Sequence, residues 1–200
     1  EIQIALLLLN KMNNKFTRIF DILISIFILT ILLPLIILIS MIIFLFDGGP
    51  IIFKQNRIGY HGRKFEMFKF RTMKNNFLKN ENLRLTRIGK ILRRLSLDEI
   101  PQFINVIKKD MSIVGPRPLP ELNEKKINRI LRDKRRNVLP GITGLSQINY
   151  TGKYRKLDEK VKLDIKFVEN YSIYNYLKIL LNTPLVLIVR MLKNKSSIIN

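Results

Sequence analysis

Apolar residues are massed in one block of this chain rather than spread along it. From Ile22 to Phe46 there are 25 residues without a charge, interrupted only by Ser25, Thr30, Pro34 and Ser40, with Asp21 and Asp47 at the edges. The block exceeds the roughly 20 residues that cross a bilayer, so the plain reading is one spanning helix. Pro34 stands at its centre with twelve residues on either side. It removes the hydrogen bond to the Thr30 carbonyl and predicts a kink. Each half rises only about 18 Å. Two such halves can dip into one leaflet and return, provided the freed carbonyl finds a partner. A second apolar stretch, Ile173 to Leu192, contains Asn175, Lys178, Asn182, Thr183, Pro184 and Arg190. That pattern suits helices lying in the membrane interface, and equally an amphipathic helix packed on a domain core.

Between these stretches the pattern predicts alternating short elements. Gly48, Gly49 and Pro50 mark a turn, Ile51 to Phe53 read as a short strand, and Gly59 and Gly62 bracket a loop. A strand from Phe65 to Met73 puts Lys69 and Arg71 side by side on one face. Apolar positions 85, 88, 91, 92 and 95 recur at helical spacing, and another helix is expected near Ser96. Gly115, Pro116, Pro118 and Pro120 crowd an irregular segment, a charged helix follows from about Glu121 to Arg136, and Pro140 to Gly144 is rich in turn residues.

Charge narrows the chemistry. Lys and Arg number 36 against 15 Asp and Glu, a net +21, which calls for a polyanionic partner: nucleic acid, an anionic bilayer or phosphorylated substrates. Residues up to Asp21 carry +1 and the rest +20, which places the C-terminal part in the cytoplasm by the positive-inside tendency. The chain has no cysteine and one histidine, His61. Thiolate metal sites, disulfides and a Ser-His-Asp triad are thereby excluded or disfavoured, leaving carboxylates and cations to do any catalysis.

Ser96-Leu97-Asp98-Glu99 fits a capping box, Ser96 capping the amide of Glu99 and the Glu99 carboxylate reaching back. Such a box leaves Asp98 unexplained. An ionised carboxylate at a helix N-terminus, among Arg93, Arg94 and apolar neighbours, is a candidate nucleophile toward phosphorus or a ligand for a hard divalent cation. Lys69, Arg71, Arg93 and Arg117, the last held between Pro116 and Pro118, are candidate donors to a diphosphate. For any single one of them, a solvated basic surface is the alternative.

Lys69-Phe70-Arg71-Thr72-Met73, Arg93 through Ser96 to Gln102, Asn105 to Met111, Gly115 to Pro118 and Pro140 to Gly144 resemble, in order and spacing, the bacterial sugar transferase family of monotopic phosphoglycosyl transferases. The resemblance runs from about Phe16 to Leu192. It implies an α/β fold, mostly helical with a small β-hairpin. On that resemblance, residues 1–47 are expected to form an N-terminal membrane segment whose helix 22–46 is re-entrant, and residues 48–200 a cytoplasmic catalytic domain with interfacial helices at 173–192. It also implies a catalytic dyad at Asp98 and Glu99, which hold Mg²⁺, and phosphate binding at Pro116, Arg117 and Pro118, with Pro34 and Ser96 structural. The expected substrates are a UDP-sugar and polyprenyl phosphate, and the expected location is the cytoplasmic face of the inner membrane, in contact with lipid and without nucleic acid. A homodimer is compatible with this picture.

The mechanism expected from this resemblance is attack by Asp98 on the sugar-bearing phosphate with release of UMP, then transfer to the lipid phosphate. Two departures from the family pattern stand out. Leu33 replaces the serine often found before the break-point proline, so Thr30 or a neighbour must satisfy the broken backbone. After Leu163 and Asp164, which keep a Leu-Asp pattern, Ile165, Lys166 and Phe167 stand where the family has Val-Tyr-Tyr, so no role of those tyrosine hydroxyls carries over. The rival readings are a non-enzymatic basic module on anionic lipid and a nucleic-acid binder, and the chain carries no recognisable nucleic-acid reading element.

Overall fold

The computed structural model describes residues 2–74, 84–149 and 156–196. The apolar block forms two helices, α1 (Ile2–Ile31) and α2 (Leu33–Asp47), bent by 62° at the break. Pro34 sits in the first turn of α2, where its missing N–H costs nothing, so it starts a second helix instead of interrupting one. The backbone is bonded across the bend, Leu32 N–H to the Ile28 carbonyl at 2.9 Å and Ile36 N–H to the Leu32 carbonyl at 2.8 Å. Among the described residues no single helix is long and apolar enough to cross a membrane. Phe16, Leu23, Phe27, Leu38, Phe44 and Phe46 on the bent pair remain exposed.

The pair is fastened at both ends. On α1, Asp21 is 2% exposed and accepts hydrogen bonds from the Ile113 N–H at 2.8 Å and the Tyr176 hydroxyl at 2.6 Å. Arg18, one turn earlier, donates to the Val106, Ile107 and Met111 carbonyls. A buried carboxylate is tolerable only when so satisfied. Asp21 therefore marks a docking point of α1 as well as the edge of an apolar run. On α2, Ile39 and Ile43 pack with Phe70, Leu92 and Ile100 in one of the cores.

Strands β1 (Ile52–Ile58) and β2 (Lys64–Phe70) form the expected hairpin, antiparallel, with Phe53 opposite Lys69 and Arg57 opposite Phe65. The turn between them runs through Tyr60–Gly62, with Gly62 at a positive φ of 79° that suits glycine. Helix α3 (Arg87–Arg94), a 3₁₀ turn (Leu97–Glu99) and α4 (Gln102–Ile107) follow. Asn105 on α4 is fully buried and serves the edge of β2 as a surrogate strand, accepting from the Phe68 N–H at 2.9 Å and donating to the Glu66 carbonyl at 2.7 Å.

A second, parallel pair joins β3 (Ser112–Val114) to β4 (Gly141–Thr143), so the turn-rich segment at Pro140 contains a strand. The charged stretch expected as one helix makes two, α5 (Glu121–Glu124) and α6 (Arg129–Arg135), because Asn128 caps the second through the Ile130 N–H at 2.9 Å. Helices α7 (Leu145–Ile148), α8 (Leu157–Glu169) and α9 (Ile173–Ser196) complete the chain. The stretch expected at 173–192 is one helix. Tyr176 and Ile179 are buried in the main core, as packing on a domain core requires, whereas Leu181, Leu185, Ile188 and Leu192 in the second half are exposed.

Candidate active site

The acid pair lies where α3 meets α4, and close packing sets its position. A side chain on Gly89 would place its Cβ 2.1 Å from the Thr72 carbonyl oxygen, so only glycine lets α3 lie against the end of the hairpin. Thr86 caps α3, its hydroxyl accepting from the Gly89 N–H at 2.8 Å. The capping box expected at Ser96 does not form. Ser96 adopts a left-handed conformation, φ 56° and ψ 20°, which ends α3, and its side chain makes no capping hydrogen bond. Asp98 and Glu99 consequently occupy a tight 3₁₀ turn, and the helix beyond it is only six residues long. The helix dipole expected to act on Asp98 is correspondingly short.

Glu99 and Asp98 have opposite surroundings. Glu99 Oε1 accepts from Lys69 Nζ at 2.9 Å and from Arg117 Nη2 at 2.5 Å. Burial alone would raise its pKa, but the two cations outweigh it and hold the carboxyl at about 2. Asp98 is 7% exposed and accepts no hydrogen bond from a described residue. Burial pushes its pKa up, the neighbouring Glu99 charge adds to that, and Lys69, Arg93 and Arg117 oppose it. The two neighbouring acids thus have different environments, Glu99 held as an anion by two cations and Asp98 buried with its pKa raised.

Both acids line a cavity of about 870 Å³ together with Lys69, Arg93, Arg117 and Pro118. Arg93 reaches it with its Nε bonded to the Thr72 hydroxyl at 2.9 Å. The Arg117 loop owes its stiffness to more than its prolines, Pro116 and Pro118, both buried. The Gly115 N–H donates to the Thr143 carbonyl at 2.8 Å and the Gly141 N–H to the Pro116 carbonyl at 2.9 Å, so the loop is bonded to the β3–β4 pair. Arg135 holds it from the other side. Its guanidinium donates to the Arg117 carbonyl, to Glu124 Oε1 at 2.7 Å and to Asp164 Oδ2 at 2.8 Å, in a cluster whose three side chains are 4% exposed or less. Sequence reasoning singled out Leu163 and Asp164 without finding this use. Arg135 escaped it entirely.

Arg71 leaves the group expected around the cavity. Regular pairing ends at Phe70, and the Arg71 guanidinium, 7% exposed, turns to the carbonyls of Asp47, Gly49 and Pro50 at the end of α2. There it satisfies orphan helix-end carbonyls and complements the negative end of the helix. Gln55 and Arg57 on β1 also face the cavity and were missed, because the apolar run at Ile51 to Phe53 gave no sign that the strand continued to Ile58.

Among the described residues no group of three or more His, Asp or Glu side chains converges. A magnesium ion needs less, commonly one or two carboxylates with the rest from phosphates and water. Asp98 offers an unbonded carboxylate to such a set, and Glu99 offers the oxygen that Lys69 and Arg117 leave unused.

The family model described as bacterial sugar transferase matches residues 12–190. The chain is 41% identical over 174 residues to an uncharacterised sugar transferase, EpsL, of Bacillus subtilis (strain 168), covering 82% of each. It is 40% identical over 161 residues to the galactosyl transferase CpsE of Streptococcus agalactiae serotype III, which takes in 72% of this chain and 36% of that protein. To a UDP-glucose:undecaprenyl-phosphate glucose-1-phosphate transferase of Klebsiella pneumoniae it is 35% identical over 190 residues, 88% of this chain and 40% of the relative. The chain therefore spans less than half the length of the last two.

Proposed function

Because the chain belongs to the bacterial sugar transferase family, we propose that it moves a sugar 1-phosphate from a UDP-sugar to undecaprenyl or a similar polyprenyl phosphate, with Asp98 as the nucleophile and UMP as the first product. The relatives named for transfer between these two substrate classes support the overall reaction. The observation that carries the assignment to Asp98 is the asymmetry of the pair: a buried, unbonded Asp98 beside a Glu99 already committed to Lys69 and Arg117.

Asp98 attacks the sugar-bearing phosphorus and a phosphosugar-aspartyl intermediate forms as UMP leaves; the lipid phosphate then attacks that phosphorus and restores the carboxylate. Both nucleophiles are anions, so no histidine base is required. Lys69, Arg93 and Arg117 line the same cavity as Asp98 and offset the charge of a diphosphate brought against it. Glu99 aims two of those cations, Lys69 and Arg117, and Arg135 fixes the loop that carries Arg117. Magnesium, held by Asp98 or Glu99 and the diphosphate, would further neutralise phosphate charge.

The bent pair α1–α2 and the exposed apolar half of α9 fit insertion into the cytoplasmic leaflet of the inner membrane. The 62° bend, the pairing of backbone groups across it, and the anchoring of Asp21 and of the α2 end to one domain favour a re-entrant course with both ends on the cytoplasmic side. The test is to incubate the protein with UDP-sugars labelled in the sugar and no acceptor. The wild type should retain label and release UMP, and Asp98→Asn should do neither; turnover by Asp98→Asn would remove Asp98 from this role.

A further inference from the structure

The pocket face of β1 carries a cation that the acid pair does not use. Phe53 lies opposite Lys69 in the hairpin, so Phe53, Gln55 and Arg57 share the face of Lys69, and all line the cavity of Asp98 and Glu99. Arg57 is half-buried. One of its terminal nitrogens donates to Gln55 Oε1 at 2.6 Å, which braces the guanidinium, while its Nε is buried without a hydrogen-bond partner. No carboxylate of the described residues is in contact with it. Burial lowers its pKa to about 10, the Arg117 cation pushes the same way, and Glu99 pulls against them. Lys69 and Arg117 already share the Glu99 carboxylate, so a charge to pair with the Arg57 guanidinium has to come from a ligand.

Position says which part of the ligand. Lys69, which holds Glu99, sits opposite Phe53, and Arg57 lies four residues farther along β1, about 13 Å of extended strand, on the same cavity. In-line displacement puts nucleophile and leaving group on opposite sides of phosphorus. With one nucleophile serving both half-reactions, the nucleotide phosphate leaves along the line by which the lipid phosphate arrives. One seat has to take both in turn.

We propose that Arg57, braced by Gln55, is that seat, binding the phosphate of UMP in the first half-reaction and that of the polyprenyl acceptor in the second. The inference rests on the covalent reading above. In the first step an Asp98 Oδ–P bond forms, the bond from that phosphorus to the bridging oxygen breaks, and the electron pair departs on UMP. In the second a lipid phosphate O–P bond forms, the Asp98 O–P bond breaks and the carboxylate is restored. No proton moves in either.

The test uses the full chain in lipid nanodiscs, radiolabelled UMP and undecaprenyl phosphate. Undecaprenyl phosphate should displace UMP from the wild type, and Arg57→Gln should bind UMP about 10-fold more weakly, as expected for one lost charged hydrogen-bonding partner. Enzyme pre-loaded with labelled sugar phosphate should discharge to undecaprenyl phosphate more slowly by a similar factor in that variant. Simultaneous binding of the two ligands to the wild type, or unchanged UMP binding by Arg57→Gln, overturns the proposal. Gln55→Ala keeps the guanidinium and removes its brace, so it should show a smaller loss in the same direction, and it decides the matter if Arg57→Gln does not fold. A wild type that never carries labelled sugar phosphate refutes the covalent reading but leaves the UMP measurement standing, so the two fail separately.

Discussion

Replacing Glu99 with glutamine isolates what the central carboxylate contributes to holding the site together. In the fold Glu99 titrates at about 2, against 4.5 for an ordinary glutamate. At 1.36 kcal/mol per pH unit this corresponds to about 3 kcal/mol of stability at neutral pH. Lys69 and Glu99 are largely shielded, but Arg117 is 44% exposed, and solvent screening reduces the figure to about 2 kcal/mol. The sign follows from the depressed value: the contribution is complete above 4.5 and is lost as the pH falls through about 2. Glu99→Gln should therefore be less stable than the wild type by about 2 kcal/mol at pH 7, or about 4–8 °C in melting temperature for a chain of this size. The gap should narrow steadily between pH 5 and pH 2. Thermal unfolding in detergent followed by far-ultraviolet circular dichroism, at a series of pH values, measures it. A gap of the same size at pH 2 as at pH 7 would show that packing, not charge, is lost, and no gap at pH 7 would show that the Lys69 and Arg117 contacts contribute nothing to the fold.

Other outcomes follow from the same geometry. Lys69 is the largest influence lowering the Asp98 pKa, so Lys69→Met should move the acid limb of kcat/KM to higher pH, since catalysis needs the ionised carboxylate; an unmoved or downward-shifted limb contradicts the proposed role of Asp98. Gly89→Ala forces a Cβ to within 2.1 Å of the Thr72 carbonyl and should destabilise the protein by about 3 kcal/mol or more in urea unfolding, because backbone on both sides must move. For topology, Met12→Cys in this cysteine-free chain should react with a membrane-impermeant maleimide only once the cytoplasmic side is opened; labelling of intact spheroplasts would defeat the re-entrant course.

The features legible in the sequence were those that act locally. The apolar block announced its own helices, and a proline at its centre announced the bend, although the structure puts Pro34 in the first turn of α2. Alternation placed Lys69 on the right face of β2. The order of motifs led to Asp98, Glu99 and Arg117. What escaped depends on contacts between distant segments. Arg71 was grouped with Lys69 by alternation, yet its destination depends on where α2 ends, 24 residues earlier. Arg135 joins Glu124, 11 residues away, to Asp164, 29 residues away, and no period in the chain signals such a meeting. Ser96 was read as a cap because its spacing to Glu99 is that of a capping box, while a left-handed residue is invisible until the path of the chain is known.

Two cations stand two residues apart at the end of β2, Lys69 within the strand and turned to the acid pair, Arg71 just past it and turned to the end of α2. Two residues of extended chain span about 7 Å. On the proposed insertion, this makes β2 a gauge. It fixes the height of the reacting phosphorus above the level at which the helix pair leaves the bilayer, whatever the lipid around it does. A polyprenyl phosphate carries its charge at the headgroup level, so an enzyme calibrated in this way can meet it there, without lifting its chain out of the membrane or drawing the nucleotide into it.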